Sequence, residues 1–178
     1  MVGLVRELGR QLEFPEGVPN FEPREVRISE RAPILRRAEI PKLVERRWSW
    51  PGPSGKPVFN YRGEGRRFAP AERCVVLTDG FYEFTAPEDP KAKRKDRWLF
   101  TWPGHEWFGI AGIVRDDPKV GEAFTLLTCP PGPDIAPYHD RQVVLLSPRD
   151  SFGWLDPAQA TEPFVRPLPA DSLAVAKA

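Results

Sequence analysis

Proline and glycine break this chain too often for long helices to form. Of its 178 residues, 22 are proline and 14 are glycine, spread along the whole length and not gathered into a linker. Proline removes a backbone donor and clashes with the carbonyl one turn back, and glycine weakens any regular element it interrupts. Short strands joined by turns are what such punctuation permits. Arg73 to Phe84 reads as a strand, a bend at Asp79-Gly80 and a second, aromatic strand. Arg97 to Trp102 and Trp107 to Val114 flank Pro103-Gly104 and read as a hairpin. Phe124 to Cys129 and Gln142 to Leu146 are two further apolar strands. One helix is well specified, Pro148 to Leu155: Ser147 can cap it, Pro148 suits its first turn and Asp150 suits its positive end. Leu4, Leu8 and Leu12 have helical spacing with Gly9 among them, and the tail after Asp171 reads as loosely held. The expected fold class is α+β and β-dominated, a single domain over residues 1–178 with many short strands and few short helices.

The apolar content of 40% suffices for a core. No stretch approaches the roughly 18 consecutive apolar residues of a membrane helix. Met1 to Arg10 carries Arg6, Glu7 and Arg10 and lacks the apolar segment of a secretion signal, so the expected location is the cytoplasm. Cys74 and Cys129 each sit in an apolar run and read as buried, reduced thiols. The two histidines stand apart from cysteines and clustered carboxylates, so neither a metal nor a cofactor is expected.

The net charge of +1 is uninformative, but its distribution is not. Arg24, Arg27, Arg31, Arg36, Arg37, Lys42, Arg46 and Arg47 crowd the first third, Arg62, Arg66 and Arg67 follow, and Lys91, Lys93, Arg94, Lys95 and Arg97 form a second cluster. With Trp48, Trp50, Phe59, Tyr61 and Phe68 nearby, these stretches suit a nucleic-acid backbone and stacked bases. A solvated, ion-paired face is the plainer alternative.

Three segments place polar groups where packing does not ask for them. Asn60-Tyr61-Arg62-Gly63-Glu64 offers an amide, a guanidinium and a carboxylate within five residues, enough to position a substrate and hold a phosphate, or simply a charged turn. In Asp79-Gly80-Phe81-Tyr82-Glu83-Phe84, strand alternation puts Glu83 on the face of Phe81. Flanking aromatics would desolvate that carboxylate and raise its pKa, as general acid–base chemistry near neutral pH requires. The alternative is a strand-edge Glu paired with one of the arginines. In Tyr138-His139-Asp140-Arg141, His139 stands on a loop leading into a core strand, where it can exchange protons or merely bond within the loop. Asp140, adjacent in sequence, is expected to point away from it. His105 reads as a turn residue.

In combination these segments closely resemble the SRAP family, the SOS response-associated peptidases or abasic-site processing proteins. The resemblance rests on Asn60-x-Arg62-x-Glu64, Arg73-Cys74-Val75-Val76 followed by Asp79 to Phe84, and His139-Asp140-Arg141 before a Val/Leu strand. Arg47-Trp48, Phe124 to Thr128, Trp154-Leu155-Asp156-Pro157 and Arg166-Pro167-Leu168-Pro169 extend it from about residue 43 to 173. It implies an SRAP-like domain, probing single-stranded DNA for abasic sites, most simply as a monomer. In the family a cysteine at position 2, freed by loss of the initiator methionine, captures the open sugar's aldehyde through its amine and thiol. Carried across, the resemblance makes Val2, Asn60, Glu83 and His139 the catalytic set, with Arg62 and Arg141 on phosphates and Trp48 stacking near the lesion.

Position 2 here is valine, so a stable thiol-closed adduct is not expected and imine or lyase-type chemistry takes its place. Arg27 to Pro33 replaces the family's Asn-Val-Ala-Pro-Thr-like segment, Gln142-Val143 replaces its Met-Pro, and the loop between Asn60 and Arg73 is short. The competing functional reading is a non-catalytic single-stranded DNA-binding module. General proteolysis lacks a Ser or Cys nucleophile in a recognisable motif.

Overall fold

A computed structural model describes residues 12–19, 22–89, 91 and 93–178. Thirteen strands are defined among them: β1 (Arg31–Arg36), β2 (Lys42–Trp48), β3 (Trp50–Pro51), β4 (Pro57–Val58), β5 (Asn60–Arg62), β6 (Arg73–Thr78), β7 (Phe81–Thr85), β8 (Asp96–Thr101), β9 (Phe108–Asp117), β10 (Gly121–Cys129), β11 (Gln142–Val143), β12 (Leu145–Leu146) and β13 (Ala174–Lys177). Among the described residues the helical elements are one α-helix, α1 (Pro148–Leu155), and a 3₁₀ turn at Glu162–Phe164. The architecture is the β-dominated α+β arrangement that the proline and glycine spacing implies.

The main sheet closes on itself. β10 pairs with β2, β2 with β1, β1 with β6, β6 with β9, and β9 returns to β10. Closure removes the open edges that such a sheet would otherwise expose. Alternate residues of each strand feed two cores, which is why these strands read as continuous apolar runs. Ile34, Val44, Cys74, Val76, Ile110 and Phe124 belong to one. Leu35, Leu43, Val75, Ala111, Ile113 and Leu127 belong to the other, which also holds Trp154 and Leu155 of α1.

The helix lies where the sequence puts it. Ser147 Oγ accepts the Asp150 N–H at 3.1 Å, and Pro148 occupies the first turn. Gly109 lets α1 approach β9, because a Cβ there would run into Ser151 Oγ and Val75 Cγ1. Arg73, buried at the start of β6, donates to the carbonyls of Phe68, Trp154, Asp156 and Gln159 at 3.0–3.3 Å. It is thus a core strut between β6 and the helix.

Two expectations fail. The segments around Pro103-Gly104 are not a hairpin: β8 pairs with β7 and β13, whereas β9 pairs with β6, β10 and β12. The turn carries the chain from a three-stranded sheet, ordered β13-β8-β7, to the main one. The tail is not loose either. The Asp134 carboxylate accepts the amides of Asp171, Ser172 and Leu173 at 2.9–3.0 Å, and β13 then pairs with β8. The basic first third is, in β1 and β2, an antiparallel pair of core strands. The helical spacing of Leu4 and Leu8 lies outside the described residues. Among the described residues no helix is long and apolar enough to cross a membrane.

Candidate active site

β7 is one of the two edge strands of the three-stranded sheet, and Glu83 stands at its middle opposite Trp98. Two positions back, Phe81 faces Phe100 across the same pair, their rings stacked with centroids 5.3 Å apart. Period-two alternation puts Phe81, Glu83, Trp98 and Phe100 on one face. Onto this face packs Tyr138, edge-on to Trp98 at 5.0 Å and to Phe100 at 5.2 Å. The loop before it is tightly wound: Ala136 N–H and His139 N–H donate to the carbonyls of Gly132 and Ile135 at 2.9 and 3.0 Å, around the buried Ile135 side chain. Docking Tyr138 therefore delivers the next residue, His139, to the neighbourhood of Glu83.

Burial pushes the Glu83 carboxyl above its usual range. The nearby His139 charge pulls it down and Asp140 pushes it up. Among the described residues Glu83 has no ion pair, so the alternative of an arginine-paired edge carboxylate is not what the fold builds. His139 and Glu83, 56 positions apart by their numbering, are electrostatic neighbours.

The histidine ring is held at Nδ1. That nitrogen lies 3.0 Å from the Arg141 N–H donor, 2.9 Å from the Arg141 carbonyl and 3.2 Å from Asp140 Oδ1. Asp140 thus approaches the ring, contrary to its expected outward orientation, because the loop turns between 139 and 141 instead of running extended. Among the described residues Nε2 has no hydrogen-bond partner, which leaves it for exchange with whatever occupies the site.

Asn60 and Arg62 are exposed on β5, which runs parallel to β10 with Asn60 opposite Leu126 and Arg62 opposite Thr128. Neither side chain has a hydrogen-bond or ion-pair partner among the described residues. Arg62 stands close enough to Glu64 to help lower its pKa. Arg141 differs: both arms of its guanidinium reach the Glu64 carboxylate, and Nη2 also donates to Thr128 Oγ1 at 3.1 Å. This residue, expected on a phosphate, is already engaged by the protein. Trp48 is half-buried, its indole N–H donating to the Phe59 carbonyl at 2.9 Å and its ring edge-on to Phe59. It ties β2 to the segment leading into β5. Val2 lies outside the described residues.

Sequence reasoning gave no part to Tyr138 or Thr128. An aromatic immediately before the histidine, in a proline-rich loop that needs an anchor, was the available signal for the first; nothing local marked the second. Both cysteines are buried. Burial pushes the Cys129 thiol up to about 11 and the Cys74 thiol higher still, so neither supplies a ready thiolate. Among the described residues no three His, Cys, Asp or Glu side chains are grouped to hold a metal.

The family model for SRAP, SOS response associated peptidase, matches residues 56–177. This chain belongs to the SRAP family. The match spans β5, β7 and the His139 loop, and so contains every described site residue except Trp48. The fold also resembles solved structures of low identity. A protein from Bordetella bronchiseptica is 22% identical with a TM-score of 0.75, over 99% of this chain and 94% of that one. A phage-related protein from the same organism is 20% identical with a TM-score of 0.68, over 92% and 85% of the two chains. A protein from Bacteroides thetaiotaomicron is 17% identical with a TM-score of 0.66, over 84% and 74%. No curated protein matches this chain.

Proposed function

We propose that this SRAP-family protein acts in DNA repair on abasic sites in single-stranded DNA, through its N-terminal amine. The observation that carries this reading is the Glu83–His139 pair: a desolvated carboxyl with a raised pKa and, among the described residues, no ion pair, next to an imidazole held at Nδ1. Such a pair suits reversible proton transfers at a carbonyl centre near neutral pH. An abasic site in its ring-opened form presents that centre as an aldehyde.

Loss of Met1 would expose the Val2 amine, valine being small enough for a methionine aminopeptidase to cleave beside it. The reference pKa of an α-amine is about 7.7–8.0, so a neutral fraction exists at pH 7. Attack of that amine on the aldehyde gives a carbinolamine. Glu83, as the acid, assists departure of its hydroxyl as water, leaving the imine. Valine has no thiol to close a ring on the imine carbon, so the adduct either takes water back and dissociates or loses a C2′ proton. In the second case the 3′ phosphate leaves and the strand is nicked. His139 serves these proton transfers, Asn60 positions the amine and sugar, Arg62 faces a flanking phosphate while Arg141 stays on Glu64, and Trp48 stacks near the lesion. Base-independent phosphate and stacking contacts give binding that falls with salt and has little sequence preference.

The absence of a cysteine at position 2 favours one second reading, a module that keeps the groove and has lost the covalent step. Native electrophoresis with intact and abasic single strands, followed by a denaturing gel after borohydride, separates the two. Preference for the abasic strand with a reduced adduct supports the repair enzyme. Equal binding to both strands with no adduct supports the module, and no binding to either removes both.

A further inference from the structure

The His139 loop is braced by a group that takes no part in the proton transfers. Glu64, in the turn after β5, receives both arms of Arg141, with Nη2 to Oε2 at 2.7 Å, and Thr128 on β10 accepts from Nη2 at 3.1 Å. One guanidinium thereby joins residues 77 and 13 positions away in the sequence. The turn presenting Glu64 is itself fixed. Gly63 N–H donates to the Thr128 carbonyl at 2.9 Å, a Cβ at Gly63 would sit 2.9 Å from Val165 Cγ1, and Gly65 has φ +70°. The Arg141 side chain is only 18% exposed. This bidentate, partly shielded geometry separates the pair from ordinary surface ion pairs, which contribute little. The Arg141 fork holds the Glu64 carboxyl down to about 2.

The backbone of Arg141 is what meets the histidine. The Arg141 N–H donates to Nδ1 at 3.0 Å, the Arg141 carbonyl lies 2.9 Å from the same nitrogen and Asp140 Oδ1 lies 3.2 Å from it. Whatever fixes Arg141 therefore fixes the orientation of the ring.

We propose that Glu64 is a positioning residue: by holding the Arg141 fork it fixes the backbone around His139 Nδ1 and so presents Nε2 toward the site. The consequence for activity rests on the function proposed above, but the consequence for the ring does not. The two are therefore measured separately, in the unaltered chain and in Glu64→Gln and Glu64→Asp.

Long-range ¹H–¹⁵N correlation of His139 in the free protein is expected to show a single ring tautomer. In Glu64→Gln that pattern gives way to averaging, and in Glu64→Asp, which keeps the carboxylate, it is partly restored. On abasic single strands at saturating concentration, borohydride trapping by Glu64→Gln is expected to slow about 10²-fold, as for a group displaced by about an ångström, with Kd changed less than threefold. Unchanged His139 signals in Glu64→Gln, or averaging already in the unaltered chain, overturn the proposal. So does a tenfold change in Kd with an unchanged ring, which would make Arg141 a phosphate contact with Glu64 its competitor. An altered ring in a protein that traps no DNA upholds the brace and removes the proposed function instead.

Discussion

Two regions of this molecule are rich in arginine, and the fold uses them in opposite ways. Along β1 and β2 the cations meet carboxylates. Arg36 and Arg46 converge on Glu122, Arg46 also reaches Glu16 at 2.9 Å, and Lys42 and Arg24 approach Glu13 and Glu45 at 3.6 Å. Along β5 and β7 the arrangement is the reverse. Among the described residues, exposed Arg62 has no hydrogen-bond or ion-pair partner and the half-buried Glu83 carboxyl has no arginine against it. A basic stretch that neutralises itself contributes stability and little field. An exposed cation and a desolvated carboxyl, each without an ion pair among the described residues, leave charge available to a ligand. Charge counted along the sequence cannot separate the two; charge paired in space does.

The strongest way to sharpen this contrast is Glu83→Gln. Removing a general acid–base group should slow adduct formation on abasic DNA by about 10²- to 10⁴-fold, measured by the rate of borohydride trapping. Stability should move the other way. Because the folded-state pKa of Glu83 lies above its reference of 4.5, the native chain binds that proton more tightly than the unfolded chain. Its contribution is full below about pH 4.5 and is lost as pH rises through the raised value. Glu83→Gln should therefore melt higher than the unaltered protein at pH 7 and lose that advantage near pH 4.

Glu122→Gln tests the opposite region. Burial works against this carboxylate's charge, yet Arg46 and Arg36 outweigh it and hold its pKa down. Weakening charge-assisted bonds to two arginines should cost about 2 kcal/mol in urea unfolding, with single-strand affinity unchanged. A large loss of affinity would mean that the β1–β2 face binds DNA after all. Arg62→Ala is expected to weaken single-strand binding several-fold and flatten the salt dependence by about 0.7 in slope, one phosphate contact's worth, without lowering the melting temperature. The smallest effect belongs to Lys42→Ala. Its exposed pair with Glu13 should contribute less than about 1 kcal/mol, and neither binding nor trapping should change.

The same contrast explains what the sequence could and could not convey. Where one periodicity dominates, the reading holds: Ser147 to Leu155 carries its own cap and proline, and Phe81 and Glu83 do share a face. β1 and β2 were hidden because Arg31, Arg36, Arg46 and Arg47 draw attention to charge, while the apolar pairs Ile34-Leu35 and Leu43-Val44 are each only two residues long. The missed partner of β8 was β13, whose placement depends on Asp134 binding three amides some 37 residues away. No local pattern encodes that distance. Within the site, the desolvation of Glu83 was legible from its aromatic neighbours. Its approach to His139 was not, since it depends on Tyr138 docking against Trp98 and Phe100. The engagement of Arg141 by Glu64 was equally out of reach, although both residues stood in recognised motifs.

The account's central claim is that this chain engages an abasic site through its N-terminal amine and, having valine at position 2, cannot lock the product. The most direct measurement is the intact mass of the protein after incubation with an abasic single strand, with and without borohydride, followed by peptide mapping of any adduct. The account predicts no heat-stable adduct without reduction, strand nicking instead, and after reduction a single covalent adduct mapping to Val2. Val2→Cys should convert it to an adduct that survives heating unreduced. A heat-stable adduct from the unaltered chain, or a reduced adduct mapping to a lysine, would contradict it.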